Sequence, residues 1–212
     1  MSEPQPPEAE TPAEDTPAAI PEPSPHPIQL VVFDDLKRSR LTVFFRLLLL
    51  IPHFIWQSAW NLAIWFCVIV NWFVVLIKGG TPEDMHHLLA RALRYRTHFL
   101  AYTFLVSNPY PPFFGRLGSH PVDLEIDGPE PQRRVVTFFR LILAIPAFVV
   151  SYVFTFVMVF VAFIGWFIAL FIGRMPKGMR DLSAYCLRYE AQTWGYLMIL
   201  TDRYPSFAGP RT

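Results

Sequence analysis

The sequence predicts an all-α integral membrane protein, a tandem repeat of a short strand, a long apolar Pro-kinked helical hairpin and an amphipathic helix, behind a disordered N-terminal tail. Two observations predict the membrane class. Residues 41–77 carry one formal charge, Arg46, in 37 positions, and residues 135–172 carry one, Arg140. An apolar run of about 18 or more residues reads as membrane-spanning. A third observation predicts the repeat: shifting the numbering by 94 aligns the two halves without gaps from residue 28 to residue 113.

Composition agrees. The chain has 212 residues, 53% of them hydrophobic, with 20 Phe and 6 Trp. A soluble core of this size cannot hide two such runs. The net charge of +1 averages two unlike regions: eight acids and no Lys or Arg precede Lys37, while 18 basic and nine acidic residues lie from Lys37 onward. The membrane part is therefore basic, which suits anionic headgroups and also sets topology. Cys67 and Cys186 stand in apolar or amphipathic segments with no metal-like spacing, so they are expected as free thiols.

Residues 1–27 hold nine prolines and six acids and have no apolar periodicity. Such a segment cannot bury enough apolar surface to offset the entropy of ordering. It lacks a signal peptide's basic start and apolar core, so it is expected to stay in the cytoplasm. The organisation that follows is a tail at 1–27, a first membrane repeat at 28–113, a linker at 114–121, a second repeat at 122–207 and a short tail at 208–212. Each repeat opens on a strand. Residues 28–33 read IQLVVF, and residues 122–126 read VDLEI with a period of two.

The repeat keeps rare residues in register. Phe44-Phe45-Arg46 falls on Phe138-Phe139-Arg140, Ile51-Pro52 on Ile145-Pro146, Trp72-Phe73 on Trp166-Phe167, and Leu93-Arg94-Tyr95 on Leu187-Arg188-Tyr189. Each unit reads R-x3-FFR-x5-P, then an apolar run ending WF-x5-G-x2-P, then a helix with LRY and a terminal YP-x-F, which is TDRYPSF in the second unit and SNPYPPF in the first. This pattern resembles the uncharacterised bacterial membrane family catalogued as domain of unknown function 4389, present as two tandem copies. The resemblance implies a helical membrane protein and brings no activity with it. The first copy departs at its ending, so a role for Asp202-Arg203 is not shared.

A 37-residue helix is about 55 Å long, against a hydrocarbon core of about 30 Å. Two arrangements fit: a hairpin of two short spans, or an interfacial helix up to Pro52 followed by one span. Both flanks of each run are basic, with Lys37, Arg38, Arg40 and Lys78 around the first and Arg133, Arg134, Arg174 and Lys177 around the second. A hairpin places both flanks on the cytoplasmic side. Gln57, Ser58 and Asn61 mark its possible turn. Even crossing numbers then put both strands on one side, where they can pair, whereas single crossings are expected to invert the second copy and separate them. Arg46 and Arg140 are expected to snorkel to the headgroups.

After each run comes a helix. Thr81-Pro82-Glu83-Asp84 reads as an N-cap, a Pro at N1 and acids in the first turn. Met85, Leu88, Ala92, Tyr95, Phe99, Tyr102 and Val106 then form one stripe, repeated at Met179, Leu182, Cys186, Tyr189, Thr193, Tyr196 and Leu200. This describes an amphipathic helix on the membrane surface or packed on the hairpin.

No nucleophile motif, phosphate loop or dinucleotide fingerprint occurs, so no catalytic residue, cofactor or nucleic-acid partner is expected. The histidines lack supporting ligands at helical spacing, so no metal is expected either. What recurs is arginine beside tyrosine. Arg40, Arg46, Arg94, Arg134, Arg140 and Arg188 are candidate contacts for lipid headgroups or a partner, and Tyr95, Tyr102, Tyr189 and Tyr196 are candidate interface aromatics. The expected function is a non-enzymatic scaffold or accessory subunit, multi-pass in the cell membrane, that meets the lipid bilayer, anionic lipids and a membrane-protein partner or a second copy of itself. The alternative is a small transporter or channel component with a polar path between the repeats.

Overall fold

The computed structural model describes residues 26–208. The expected disorder of the tail and its cytoplasmic placement fall, up to residue 25, outside the described residues, as do positions 209–212. The order of elements is β1 (Ile28–Val32), α1 (Arg40–Phe44), α2 (Arg46–Lys78), α3 (Glu83–Thr103), β2 (Val122–Ile126), α4 (Arg134–Ile172) and α5 (Lys177–Leu197). The described residues are mostly helical, with one two-stranded antiparallel sheet among them.

The hairpin expectation is overturned. Each apolar run is one continuous helix, α2 with 33 residues and α4 with 39. The polar cluster taken for a turn is satisfied inside the helix. Gln57 donates to Asn61 Oδ1 at 2.7 Å and Ser58 Oγ donates to the Phe54 carbonyl at 2.8 Å, both across one turn. Thr155 does the same to the Ser151 carbonyl in α4. With these groups bonded locally and no glycine beside them, nothing at these positions favours breaking the helix. Pro52 and Pro146 lie within α2 and α4. Both helices end at a glycine in the left-handed conformation, Gly79 at φ 82° and Gly173 at φ 77°.

The start of α3 also differs from expectation. Pro82 is the N-cap residue and supplies no side-chain bond. Thr81 Oγ1 instead accepts from Asn71 and donates to the Ile199 carbonyl in the other copy.

The two copies interlock across a pseudo-dyad. In the β1–β2 ladder Leu30 stands opposite Leu124, its own equivalent in the other copy. Arg96 pairs with Glu190, again equivalent positions. Equivalent residues can meet only on the axis that relates the copies. The axis therefore runs through the sheet and through the place where α3 meets α5. The sheet packs crosswise, β1 on α5 and β2 on α3. Gly195 makes room for this, because a Cβ there would strike the Ile28 side chain. In the equivalent place the residues are Ala101 and the smaller Val122, both buried in the same cluster.

The helices α2 and α4 run antiparallel. The Trp72 indole donates to the Thr137 carbonyl at 2.8 Å, and the equivalent Trp166 indole donates to the Val43 carbonyl at 2.8 Å. Main-chain bonds repeat the exchange, from Arg38 N to Gly173 O at 2.9 Å and from Gln132 N to Gly79 O at 2.8 Å. The molecule is thus layered along the dyad: the sheet lies on α3 and α5, and these lie on α2 and α4. The strands pair, as the sequence reading expected, although each copy has a single long helix. The reason is that the strands reach the middle of the assembly, not the ends of the apolar helices.

Candidate lipid interface

The inward stripe of α2 contains Arg46, His53, Gln57, Ile64, Val68, Asn71 and Val75. Its polar members all point into the protein. The rest of the helix turns outward and is almost wholly apolar, from Leu47, Leu48 and Ile51 through Phe54, Leu62 and Phe66 to Phe73 and Ile77. In α4, Val135, Phe138, Ile142, Val149, Phe156, Phe163 and Phe171 continue the same surface. Both helices are long and apolar enough to cross a membrane. Such a surface, unbroken over two helices about 50 Å or more in length, is far larger than the patches that soluble monomers expose. The residues at its ends are basic and exposed: Lys37, Arg40 and Lys78 on one helix, Arg133, Arg134 and Arg174 on the other.

The six candidate arginines divide. Arg40 and Arg134 are exposed, and Arg134 donates to the Ile77 carbonyl at 2.9 Å. Arg94 is half-buried and donates to the Leu124 carbonyl at 2.9 Å. Arg188 is buried, its guanidinium over the Tyr185 ring and bonded to the Ser206 carbonyl.

Arg46 and Arg140 do not snorkel, which corrects the expectation for them. They are 2% and 1% exposed. Each guanidinium caps the C-terminal end of the following helix. Arg46 donates to the carbonyls of Tyr102 and Ser107, and Arg140 to those of Tyr196 and Thr201. A helix leaves its last carbonyls without partners, and a buried guanidinium with several donors satisfies them while its charge opposes the negative helix end. Arg140 also binds Asp202 Oδ1 at 2.6 Å. In the first copy the residue at that position is Asn108, so the two arginines sit in unlike electrostatic surroundings.

The tyrosines are corrected likewise. Tyr95, Tyr102, Tyr189 and Tyr196 are core residues, none more than 2% exposed. Tyr102 lies 4.2 Å under the Arg46 guanidinium, and Tyr196 4.5 Å under that of Arg140. Cation–π stacking and carbonyl capping hold the same groups together.

A further pair of equivalents was hidden from sequence reading. The turns after α3 and α5 place Leu105 at φ 59° and Ile199 at φ 63°, a strained conformation for branched side chains. Arg38 donates to the Leu105 carbonyl at 2.9 Å and to Val106, while its equivalent Gln132 reaches the Ile199 carbonyl at 3.4 Å. Arg38 and Gln132 are chemically unlike, so the shift of 94 gave no sign of a shared task.

A buried polar cluster lies beside β2. His98 Nε2 is 3.1 Å from Asp123 Oδ1, and His120 Nε2 is 3.2 Å from Ser107 Oγ. Burial lowers the His120 pKa, and the neighbouring His98 lowers it further. Burial alone would raise the Asp123 carboxyl, but hydrogen bonds from His98, Gly118 and Leu124 outweigh it and hold it below its ordinary value. His120 Nδ1 meets the backbone of Val122, and the equivalent His26 Nδ1 meets that of Ile28. This recurrence assigns the two histidines to fixing the strand starts.

A family model described as "Domain of unknown function (DUF4389)" matches residues 40–115 and again residues 134–209. The chain belongs to this family. The two matches begin and end 94 positions apart, the shift that relates the halves. No curated protein and no solved structure matches the chain. In the tandem DUF4389 protein each match runs from the basic start of an apolar helix to the loop that follows the buried helix. The strands precede both matches, so the sheet that joins the copies lies outside the matched segments.

Proposed function

We propose that this tandem DUF4389 protein is a non-enzymatic membrane scaffold or accessory subunit. Lipid covers the outward faces of α2 and α4, and the exposed Arg40 and Arg134 meet anionic headgroups. The observation that carries this reading is the combination of an apolar layer along both helices with basic residues at all four of their ends. Apolar burial supplies the attachment and the cations supply the preference for negative lipid. The sheet and α3–α5 layers, held away from the apolar surface, offer a partner protein its docking face. The transport alternative drew on the repeated Arg46 and Arg140. Both guanidinium groups are engaged on helix-end carbonyls, which removes that support.

The test is flotation of the purified chain with vesicles of neutral lipid and of neutral lipid mixed with phosphatidylglycerol. Wild type is expected on both, with a salt-sensitive preference for the anionic mixture. Arg40→Glu with Arg134→Glu is expected to keep attachment and weaken that preference, since Lys37, Lys78, Arg133 and Arg174 remain. Recovery of wild type in the vesicle-free fraction after detergent removal overturns the membrane reading. An unchanged lipid preference in the double variant overturns the role of the two arginines.

A further inference from the structure

From the layering we infer that α2 and α4 lie in the plane of one leaflet of an anionic bilayer and do not cross it, with the pseudo-dyad along the membrane normal. This rests on the membrane attachment proposed above and goes on to its geometry.

The cross-copy bonds locate the dyad along the helices. They join Trp72 to Thr137 and Trp166 to Val43, and these four positions are equivalent in pairs. The midpoint falls level with Gln57 and Ser58 on α2, and with Ser151 and Tyr152 on α4. A crevice lined by Arg96, Glu190, Ser151 and Tyr152 agrees, since it brings the on-axis ion pair beside those α4 residues.

Consider both helices upright in a bilayer. The dyad, perpendicular to them at their middles, then lies in the midplane, and whatever sits on it sits at that depth. That includes the Arg96–Glu190 pair and the whole β1–β2 sheet, with Asp123 and the exposed Glu125. Arg94, Gln192, His26 and His120 bond only some of the outward main-chain groups on the edges of this two-stranded sheet, and hydrocarbon cannot satisfy the rest. Upright helices also place equal basic clusters on the two sides, against the usual bias of positive charge toward one side.

Laid flat, the same structure meets none of these penalties. The outward faces of both helices enter the acyl region to the shallow depth of interfacial helices, roughly 5–10 Å. All four basic ends lie at headgroup level. The sheet faces water on the far side of α3 and α5. The excess length of each helix over a bilayer crossing, 33 and 39 residues against about 20, needs no tilt or break.

The experiment compares the two ends of one helix. Ser39→Cys and Lys78→Cys are made singly in the full chain with Cys67 and Cys186 replaced by Ala, and sealed vesicles are exposed to a membrane-impermeant maleimide from either side. Both are expected to label from the same side, with labelling lost from the other. Labelling from opposite sides overturns the in-plane geometry and leaves membrane attachment standing. Loss of the chain to the vesicle-free fraction overturns both. The unmodified protein gives a second reading through its tryptophans, with Trp56 and Trp60 within about 4 Å of the dyad level along α2. In-plane helices are quenched most by lipids brominated near the headgroup end of the acyl chain. Strongest quenching by lipids brominated near the chain terminus overturns the proposal. If the face is instead an interface between copies, quenching is weak at every depth and cross-linking captures a dimer, which overturns it as well.

Discussion

Arg140 and Arg46 hold the same place in the two copies, yet only Arg140 has an acid, Asp202, within 2.6 Å; the residue equivalent to Asp202 is Asn108. Both arginines cap buried carbonyls, so both are structural. Removal of Arg140 also breaks its bond to the Asp202 carboxylate, and a hydrogen bond between charged groups contributes about 1.5–3 kcal/mol. Loss of a buried hydrogen-bonding group alone costs about 1–3 kcal/mol. Arg140→Leu is therefore expected to lower the thermal unfolding midpoint more than Arg46→Leu, followed by tryptophan fluorescence in nanodiscs. Adding Asp202→Leu to Arg140→Leu is not expected to recover the loss, because Asp202 still accepts from the Arg133 backbone N–H at 2.6 Å and faces the Arg133 guanidinium at 3.6 Å. Equal losses in the two single variants sink this account.

Gly195 lies where β1 crosses α5. A methyl group there strikes Ile28, so Gly195→Ala is expected to destabilise by about 1–3 kcal/mol through overpacking. The first copy solves the same problem with Ala101 and Val122. Ile28→Val together with Gly195→Ala copies that solution and is expected to restore most of the stability. A double-mutant cycle in nanodiscs measures the coupling, and strict additivity contradicts it.

The on-axis pair is open to a charge exchange. Arg96→Glu or Glu190→Arg alone places two like charges together, and each is expected to be destabilising. The two changes combined put the pair back across the dyad. Recovery is expected to be incomplete, because Arg96 also lies 4.2 Å over Trp194 and the equivalent of Trp194 is Leu100, which has no ring to offer an arginine at 190. No recovery at all contradicts the axial placement.

Acid is expected to destabilise the fold in two steps. Burial holds the His120 pKa below its ordinary 6.5, so the unfolded chain takes up this proton first as pH falls. Stability from the neutral ring is complete above about pH 6.5 and declines below it, down to the lowered native value. His86 is shifted the same way, by burial and then by His87. Asp123, held below its ordinary 3.8, acts later. Its carboxylate contributes above that value and the contribution is lost as pH falls through the lower native one. His120→Asn keeps a polar group near the Val122 backbone and is expected to flatten the upper step. An unfolding midpoint that falls as steeply between pH 6.5 and pH 5 in this variant rules the histidine out as its source.

The residues themselves show much of this architecture. The rare residues kept at a shift of 94 show the duplication, the strands are legible as short segments, alternating in the second copy, and the buried helices follow from their stripe of Met, Leu and Tyr. Those are local or periodic signals, carried by neighbours along the chain. The exposed basic ends of α2 and α4 are equally legible, since charge beside an apolar run needs no partner to be read.

What the tertiary structure decided is direction and engagement. The same apolar composition suits a hairpin or one long helix; the folded chain runs as one helix through Gln57, Ser58 and Thr155, whose side chains bond within it. An arginine near the end of an apolar run reads as reaching for headgroups, and a tyrosine beside it as an interface anchor. Whether they turn outward or inward depends on what lies about 60 positions away along the chain, and there the open carbonyls after Tyr102 and Tyr196 claim both guanidinium groups. The dyad is of the same kind. Repetition in the chain established that two like units exist, but their antiparallel meeting arose from contacts such as Trp72 on Thr137 and Leu30 on Leu124, which form only once both copies are folded against each other.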